Sequence, residues 1–573
     1  MRRLALFVGC YALGVSILSD PPEATAQSRH DKVPTREAAI PVGLPEVPAG
    51  NAGQRSRRAQ QPGGRRFARP QRPRRISPLG RDPRRPILEN ELDRAIGKIW
   101  RRRDLRAGIT AIYVVDAETG QELYAVHEDE PLNPASNVKL VSTATALHIL
   151  GPDWRYTTRL LGPAPAPDGA VIGDVYLIGS HDPTLRADGL RSLAQAVKDS
   201  GVTRIDGDIY VGRQRWRESV AASRVTIRVQ GTEPGQPPHV TVLPETEFVR
   251  VRLTATTAPR KTGSPRRPHI ALELYRIDDE LGGDYYEVEV SGAIVPGRHI
   301  TLGRSLARGC QFSAHIVRQA LVDVGVSVTG TVRRAALSEY VAATRSYLPV
   351  ELARHESRPM RDIVAAINKH SINRLADRVI MTAGAMHYGG RPTMKKAIRA
   401  MRDWLRDVAG IDPGTVVLDT GSGLSYNTEL AARHIVAILR RAGGYTGRGS
   451  PAPDDAGAAK TRALEQAFVR SLAVAGVDGT LRRRFRGSKA RGSVIGKTGT
   501  LSRVVALSGI VAHGRDNALA FAIVSNGHRR RWRYRVRKNH EAIVEAMYRY
   551  LRTRLAQHDE RESLTPAAAD GGR

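Results

Sequence analysis

Two pairs of strand-like segments lie near opposite ends of the chain and constrain its fold more than any other feature. Residues 109–115 and 122–126 are apolar and β-branched, and turn residues join them. Residues 504–511 and 518–524 flank a His-Gly-Arg-Asp sequence in the same way. Each pair predicts a β-hairpin.

A helical pattern accompanies each hairpin. Apolar residues recur at three- and four-residue intervals in 87–100, before the first hairpin, and a second helix is predicted over about 539–555. These elements would complete one antiparallel sheet covered by helices. Between about 160 and 340 the chain changes to short strand-like runs with many Gly and Pro residues. We therefore predict an α+β protein in which one or two inserted β-rich domains split the sheet domain.

The chain is too long for a single hydrophobic core. Its 573 residues are divided as follows: a signal peptide at 1–26, a disordered basic linker at 27–87, a split domain at 88–160 and 341–556, an inserted β-rich region at 161–340, and a disordered tail at 557–573.

The first residues predict export. Met-Arg-Arg is followed by an apolar run over 4–18, and Ala24-Thr-Ala26 has the small residues of a signal-peptidase site. Cleavage there is the main interpretation and an uncleaved anchor is the alternative. The expected location is the periplasm or cell envelope. Removal of Cys10 would leave Cys310 alone, so no intrachain disulfide is expected, and Cys310 is read as a small packed residue.

The formal net charge of +32 favours polyanionic partners. Export argues against nucleic acid and in favour of anionic envelope polymers. The Arg-, Pro- and Gly-rich segment 54–70 is either a tether to such polymers or a spacer with no partner. A second arginine-rich run, 528–538, is either a solvated face or a docking site for anionic polymer.

Several chemistries have no support in the sequence. The sixteen histidines include no His-Glu-x-x-His and no close His/Cys cluster, so no metal site is predicted. Nucleotide-binding glycine loops and the Gly-x-Ser-x-Gly elbow are also absent, so no cofactor is expected. Ser422 lies in a glycine-flanked loop, but no base is evident near it.

Three short patterns remain. They are Ser136-x-x-Lys139 at the start of a predicted helix, Ser371-x-Asn373 within a helical region at 361–381, and Lys497-Thr498-Gly499 after a strand-like run at 492–496. Each occurs by chance in some chains, but their order and their positions on these elements strengthen one another.

The first pattern fits a nucleophile and its base. Three residues are nearly one helical turn, so Lys139 would project beside Ser136. A lysine acts as a base only when neutral, and burial or a second cation such as Lys497 lowers its pKa from about 10.4. The helix N-terminus would stabilise an oxyanion. The alternative is a helix-capping Ser136 with a solvated Lys139.

The other two patterns fit supporting roles. Ser371 would pass a proton to the leaving group, and Asn373 would orient the substrate amide or Lys139. Lys497 would hold an anionic substrate group such as a terminal carboxylate.

The three motifs resemble the active site of penicillin-binding proteins and serine β-lactamases. Over about residues 90–550 the chain resembles the D-alanyl-D-alanine carboxypeptidase/endopeptidase family, the class C low-molecular-mass penicillin-binding proteins, which insert extra domains between the first two motifs. The stretches that carry this resemblance are 133–140, 179–185, 357–364, 368–373, 419–425, 471–481 and 496–501.

The resemblance implies a role for each matched residue. The catalytic residues would be Ser136 as the acylated nucleophile, Lys139 as its base, Ser371 and Asn373. The substrate-binding strand would contain Lys497, Thr498, Gly499 and Thr500, and the backbone N–H groups of Ser136 and Thr500 would form the oxyanion hole.

These features predict an exported serine-type D-Ala-D-Ala carboxypeptidase, endopeptidase or both. Its substrates would be peptidoglycan stem peptides and its covalent inhibitors β-lactams. A β-lactamase or esterase with the same site, and an idle peptidoglycan-binding protein, are the alternatives. Two departures affect substrate selection: Ile372 replaces a frequent Asp, and Tyr426-Asn427 replaces a more usual Arg-Tyr.

Overall fold

The computed structural model describes residues 87–212, 224–259, 269–278, 284–343, 349–445, 456–514 and 517–564. The predicted signal peptide, segment 54–70 and nearly all of the predicted linker lie outside these residues. Within the described part, no helix combines the length and apolar character needed to cross a bilayer.

The helices, in chain order, are α1 Ile87–Trp100, α2 Arg103–Arg106, α3 Val138–Leu150, α4 Ala187–Asp199, α5 Gly309–Asp323, α6 Leu337–Ala343, α7 Met360–His370, α8 Asn373–Tyr388, α9 Met394–Asp407, α10 Ala432–Ala442, α11 Ala456–Ser471 and α12 Arg533–Leu564.

The strands are β1 Ile109–Asp116, β2 Glu122–Val126, β3 Thr157–Gly162, β4 Ala170–Ile172, β5 Val175–Gly179, β6 Arg204–Asp206, β7 Ile209–Val211, β8 Arg224–Gln230, β9 His239–Leu243, β10 Val249–Leu253, β11 Thr256–Thr257, β12 His269–Asp278, β13 Asp284–Ile294, β14 His299–Ser305, β15 Ser327–Val328, β16 Val332–Arg334, β17 Val350–Glu356, β18 Ala473–Val474, β19 Val494–Leu501, β20 Val504–Ala512 and β21 Ala518–Asn526.

One antiparallel sheet joins the two ends of the folded chain. Its six strands lie in the order β18-β19-β20-β21-β1-β2. Strands β1 and β21 pair along their whole length, from Ile109 opposite Asn526 to Asp116 opposite Leu519. The predicted union of the two hairpins in an α+β fold is therefore confirmed.

Helices cover both faces of this sheet, and β21 shows why. Ala520 and Ala522 point towards the core that contains α3 and α7–α11. Phe521 and Ile523 point to the opposite core, which contains α1 and α12. Alternate side chains of a strand point to opposite faces, so a strand buried on both sides must be apolar throughout.

The chain passes into the inserted region and back out of it through two strands that pair with each other. Strands β3 and β17 are antiparallel neighbours at one side of a sheet ordered β16-β7-β5-β3-β17. Smaller sheets are β15-β6-β4, β14-β8-β9, and β10-β13-β11, in which β13 also pairs with β12. Leu160 and Leu352 belong to a separate core, in which Cys310 on α5 is also buried.

Three features differ from the sequence-based expectation. The inserted region also contains helices α4 and α5, which its short strand-like runs did not indicate. Strands β3 and β17 pair with the inserted sheet, so the crossing points lie near 157 and 356 rather than at 160 and 341. Helix α12 runs through 557–564, within the predicted tail, because its Gln, Glu and Arg residues are good helix formers.

A buried ion pair attaches α12 to the segment after β18. Arg484 Nε donates a 2.7 Å hydrogen bond to Glu541 Oε1, and the two side chains are 8% and 9% exposed. Lys538, which is 54% exposed, donates to the second oxygen of Glu541 at 2.9 Å.

Substitution Glu541→Ala would leave Arg484 as an uncompensated buried cation. We expect a loss of about 3–5 kcal/mol in the free energy of unfolding. The matched control Lys538→Ala removes a solvated partner of the same carboxylate and should cost about 0–1 kcal/mol. Thermal unfolding followed by circular dichroism measures both, and equal transition temperatures for the two variants would contradict the expectation.

Candidate active site

The turn that carries Ser136 is held on the end of the central sheet. Asn133 Oδ1 accepts a 2.9 Å hydrogen bond from the Ala135 N–H, and the backbone of Asn133 exchanges hydrogen bonds of 3.0 and 3.1 Å with the Asn526 amide. Ala135 has φ of 48°, a conformation that costs a residue other than glycine about 1–3 kcal/mol. Ser136 then lies in the 3-10 turn that leads into α3.

Lys139 is completely buried beside Ser136. Its Nζ lies 3.0 Å from Ser136 Oγ, 2.7 Å from Asn373 Oδ1 and 2.5 Å from the carbonyl oxygen of Ser422. All three partners are oxygen atoms that can accept from an ammonium. A neutral amine donates to the amide and carbonyl oxygens through its two N–H groups and accepts from the Ser136 hydroxyl through its lone pair.

The electrostatic environment favours that neutral form. Burial lowers the pKa of Lys139 to about 8, and the Asp377 carboxylate partly opposes the shift. Desolvation penalises the ammonium ion, whereas a nearby negative charge favours it.

Ser371 lies between two helices rather than within one. Helix α7 ends at His370, Ser371 adopts φ of 56°, and α8 begins at Asn373. The predicted helical region at 361–381 is therefore formed by two helices, with Ser371 at the break between them. The left-handed residue ends α7 and starts α8 in a new direction, which brings the side chains of Ser371 and Asn373 to the two lysines.

Lys497 lies within β19 and is also completely buried. Its Nζ donates to Ser371 Oγ at 2.9 Å and to the Thr498 carbonyl at 3.0 Å. Burial lowers its pKa well below the usual lysine value, and the charge of Lys139 lowers it further. The sequence predicted the reverse effect, a lowering of the Lys139 pKa by Lys497, whereas the causes of the Lys139 shift are burial and Asp377. Thr500, in contrast, is exposed on the same strand.

Strand β19 passes directly against the Ser136 turn. A Cβ atom at position 499 would lie 2.6 Å from the carbonyl oxygen of Pro134, so Gly499 permits this approach. Strand β18 pairs only with Ile495 and Gly496. Among the described strands, the part of β19 from Thr498 onwards is therefore paired on one side only, with β20.

Two contributions to the site were not evident from the sequence. Asp377 lies one helical turn after Asn373 and has a pKa raised mainly by burial, which the neighbouring Ser422 and Lys139 partly oppose. Its i,i+4 spacing from Asn373 was the available signal. Ser422 enters the site through its carbonyl oxygen rather than through its hydroxyl.

The two departures from the family pattern lie at the surface. Ile372, between Ser371 and Asn373, is 40% exposed, and Tyr426 is 61% exposed. The Tyr426 hydroxyl accepts a hydrogen bond of 3.3 Å from the Ser502 N–H, just after β19. No group of three His, Cys, Asp or Glu side chains in the described residues is arranged to hold a metal ion.

Comparison with known proteins gives the class of this arrangement. The sequence model of the D-Ala-D-Ala carboxypeptidase 3 (S13) family matches residues 92–548 of this chain. The D-alanyl-D-alanine carboxypeptidase of Actinomadura sp. is 30% identical over 471 residues, which are 76% of this chain and 81% of that protein. The chain therefore belongs to the S13 family and is a serine-type D-Ala-D-Ala peptidase that acts on peptidoglycan.

Two further comparisons agree with this assignment. The carboxypeptidase DacB of Mycolicibacterium smegmatis is 25% identical over 430 residues, covering 73% of this chain and 76% of that protein. The crystal structure of penicillin binding protein 4 (dacB) from Haemophilus influenzae has a TM-score of 0.56 at 19% identity and covers 80% of this chain and 99% of that one. The latter likeness confirms the fold.

Substitution Gly499→Ala would push β19 away from the Ser136 turn. A displacement of reacting groups on the ångström scale costs about 100-fold in rate, so acylation by a fluorescent penicillin should slow by about that factor. Gly487→Ala is the control, because a Cβ atom there meets no other atom within 4 Å. Equal acylation rates in the two variants would show that the close contact at Gly499 is not required.

Proposed function

We propose that Ser136 is the nucleophile of this peptidase and that neutral Lys139 is its general base. The observation that carries the proposal is the 3.0 Å contact between Lys139 Nζ and Ser136 Oγ inside a fully buried environment. A buried lysine with a pKa of about 8 is neutral in about one molecule in ten at pH 7, whereas an unperturbed lysine is neutral in well under about one in a thousand.

In the proposed acylation, Ser136 Oγ forms a bond to the carbonyl carbon of the penultimate D-Ala. Its proton moves to Lys139 Nζ, and the carbonyl oxygen becomes an oxyanion. The backbone N–H groups of Ser136 and Thr500 are the proposed donors to that oxyanion. The contact of β19 with the Ser136 turn supports this pair, because it brings the two backbones together.

Collapse of the intermediate breaks the peptide bond, and the leaving amine needs a proton. We assign its delivery to the Ser371 hydroxyl, which is linked to Lys497 by a 2.9 Å hydrogen bond. Ser371 is reprotonated by the proton that Lys139 took from Ser136, so Lys139 is neutral again before deacylation. Water then attacks the acyl-enzyme carbonyl, Lys139 takes the water proton and returns it to Ser136 Oγ, and the shortened peptide leaves with a free carboxyl group.

The free side of β19 is the proposed position of the stem peptide, which would add to the sheet edge through backbone hydrogen bonds. Lys497 is fully buried, so we assign direct contact with a terminal carboxylate to the exposed Thr500, supported by the positive potential of Lys497. The same geometry accepts a terminal D-Ala or a cross-linking residue after the scissile bond. Carboxypeptidase and endopeptidase activity therefore remain two uses of one proposed site.

We also propose that the protein is exported and associates with anionic envelope polymers through its basic segments. The arginine-rich run supports the second part, because Arg529, Arg530, Arg531 and Arg535 are exposed. The proposed export rests on the N-terminal sequence.

The first test is mass spectrometry of the purified protein after incubation with benzylpenicillin, with Ser136→Ala as the control. We expect a stable adduct on the peptide that contains Ser136 and none in the control. Hydrolysis of muropeptides ending in D-Ala-D-Ala, and of cross-linked dimers, then separates the two activities.

Two other results would contradict this proposal. Rapid release of penicilloic acid without a stable adduct would indicate a β-lactamase. Absence of both adduct and penicilloate would indicate a peptidoglycan-binding protein that keeps the motifs without the chemistry.

The acylation rate should depend on the protonation of Lys139. Because the base acts when neutral, the rate should be half-maximal near pH 8 and fall about tenfold for each pH unit below that value. Substitution Asp377→Asn removes a charge that raises this pKa, so the profile should move to lower pH. Stopped-flow measurements with a fluorescent penicillin test both expectations, and a flat profile would exclude Lys139 as the base.

A further inference from the structure

A cavity of about 450 Å³ lies between the segment that follows β18 and the start of α12, and basic side chains line it. Its cationic residues are Arg482, Arg483, Arg484, Arg537 and Lys538. Two of these five residues belong to the arginine-rich run found in the sequence, and the other three come from a segment about fifty residues earlier in the chain.

Most of this positive charge is not neutralised by the protein. Glu541 is the carboxylate that lines the cavity, and it is already bound to Arg484 and Lys538. Among the described residues, the guanidinium groups of Arg482, Arg483 and Arg537 have no carboxylate within ion-pair distance. Three cations that line one cavity without a counter-charge favour an anionic ligand.

The cavity also contains a hydroxyl group without a hydrogen-bond partner, and an arginine links its two walls. Thr480 Oγ1 is buried, lines the cavity and has no hydrogen-bond partner among the described residues. Arg484 donates to both Glu541 and the Arg537 carbonyl, so it ties the two walls together. A ligand therefore meets cationic side chains on a fixed framework, which lowers the entropy lost on binding.

The cavity adjoins the candidate active site. A Cβ atom at Gly479 would lie 2.5 Å from the carbonyl oxygen of Lys369, near the end of α7 and two residues before Ser371. A ligand in this cavity would consequently be held beside the peptidoglycan on which the enzyme acts.

We propose that this cavity binds the phosphodiester groups of an anionic polymer that accompanies peptidoglycan. Guanidinium groups bind phosphate oxygens in bidentate fashion, and the Thr480 hydroxyl adds a neutral donor. The concave shape and the position beside the active site favour a wall polymer over a lipid surface. This inference rests on the proposed association with anionic polymer. It specifies where the polymer binds, in this cavity, and which chemical group is recognised, the phosphodiester.

The test is binding of synthetic polyglycerol phosphate to the full chain at several salt concentrations. Compared with the wild type, Arg483→Ala/Arg537→Ala should bind at least about tenfold more weakly, with a salt dependence reduced by about one unit per lost phosphate contact. The matched control Arg391→Ala/Arg402→Ala removes two exposed arginines on and before α9 and should change binding less than about twofold. Acylation by benzylpenicillin should be unchanged in all three proteins.

The possible results separate the claims. Equal weakening in the two double variants would mean diffuse charge attraction and would overturn the cavity while leaving polymer association intact. No binding by the wild type, or binding only to phosphatidylglycerol vesicles, would overturn both. If Arg483→Ala/Arg537→Ala also lost acylation, the single variant Arg482→Ala would be used to test polymer binding instead. Its side chain is exposed, so its removal does not disturb packed residues. Unchanged polymer binding by Arg482→Ala would overturn the proposal.

Discussion

The burial of Lys139 is the constraint on which the rest of the site depends. A lysine without solvent contact is tolerated only where its amine finds acceptors, and here three separate segments provide them. The Ser136 turn, the start of α8 and the 419–425 loop must therefore meet at one point. The same burial that requires these partners lowers the lysine pKa towards neutrality. The structural requirement and the chemical property have one physical cause.

The central sheet supplies the rigid frame for this meeting. Strand β19 carries Lys497, and β21 ends at Asn526, whose amide holds the turn before Ser136. Helices bury both faces of the sheet, so a shift of one strand by one residue would move all of its side chains to the opposite face and disrupt the packing of both cores. Left-handed backbone at Ala135 and Ser371 is stable only on such a frame. The strain is therefore located where the reactive side chains are presented.

The fold also separates two kinds of recognition. The half-paired part of β19 and the two buried lysines form the candidate active site. Uncompensated arginines of the segment after β18 and of α12 line a separate cavity, which the Arg484–Glu541 pair supports. An enzyme of this form is suited to act on one component of a mixed polymer while it holds another.

The sequence by itself determined the elements that depend on local pattern. Alternating and continuous apolar runs predicted both hairpins, and the Ser136 and Lys139 spacing predicted their contact, because one helical turn fixes that distance. Only the tertiary structure decided how distant segments meet. Three features depend on packing between residues far apart in the chain: the break at Ser371, the contact of the Ser422 carbonyl with Lys139, and the joining of the two arginine segments. No local pattern encodes such contacts, since their geometry is set by the two cores that hold the sheet between them.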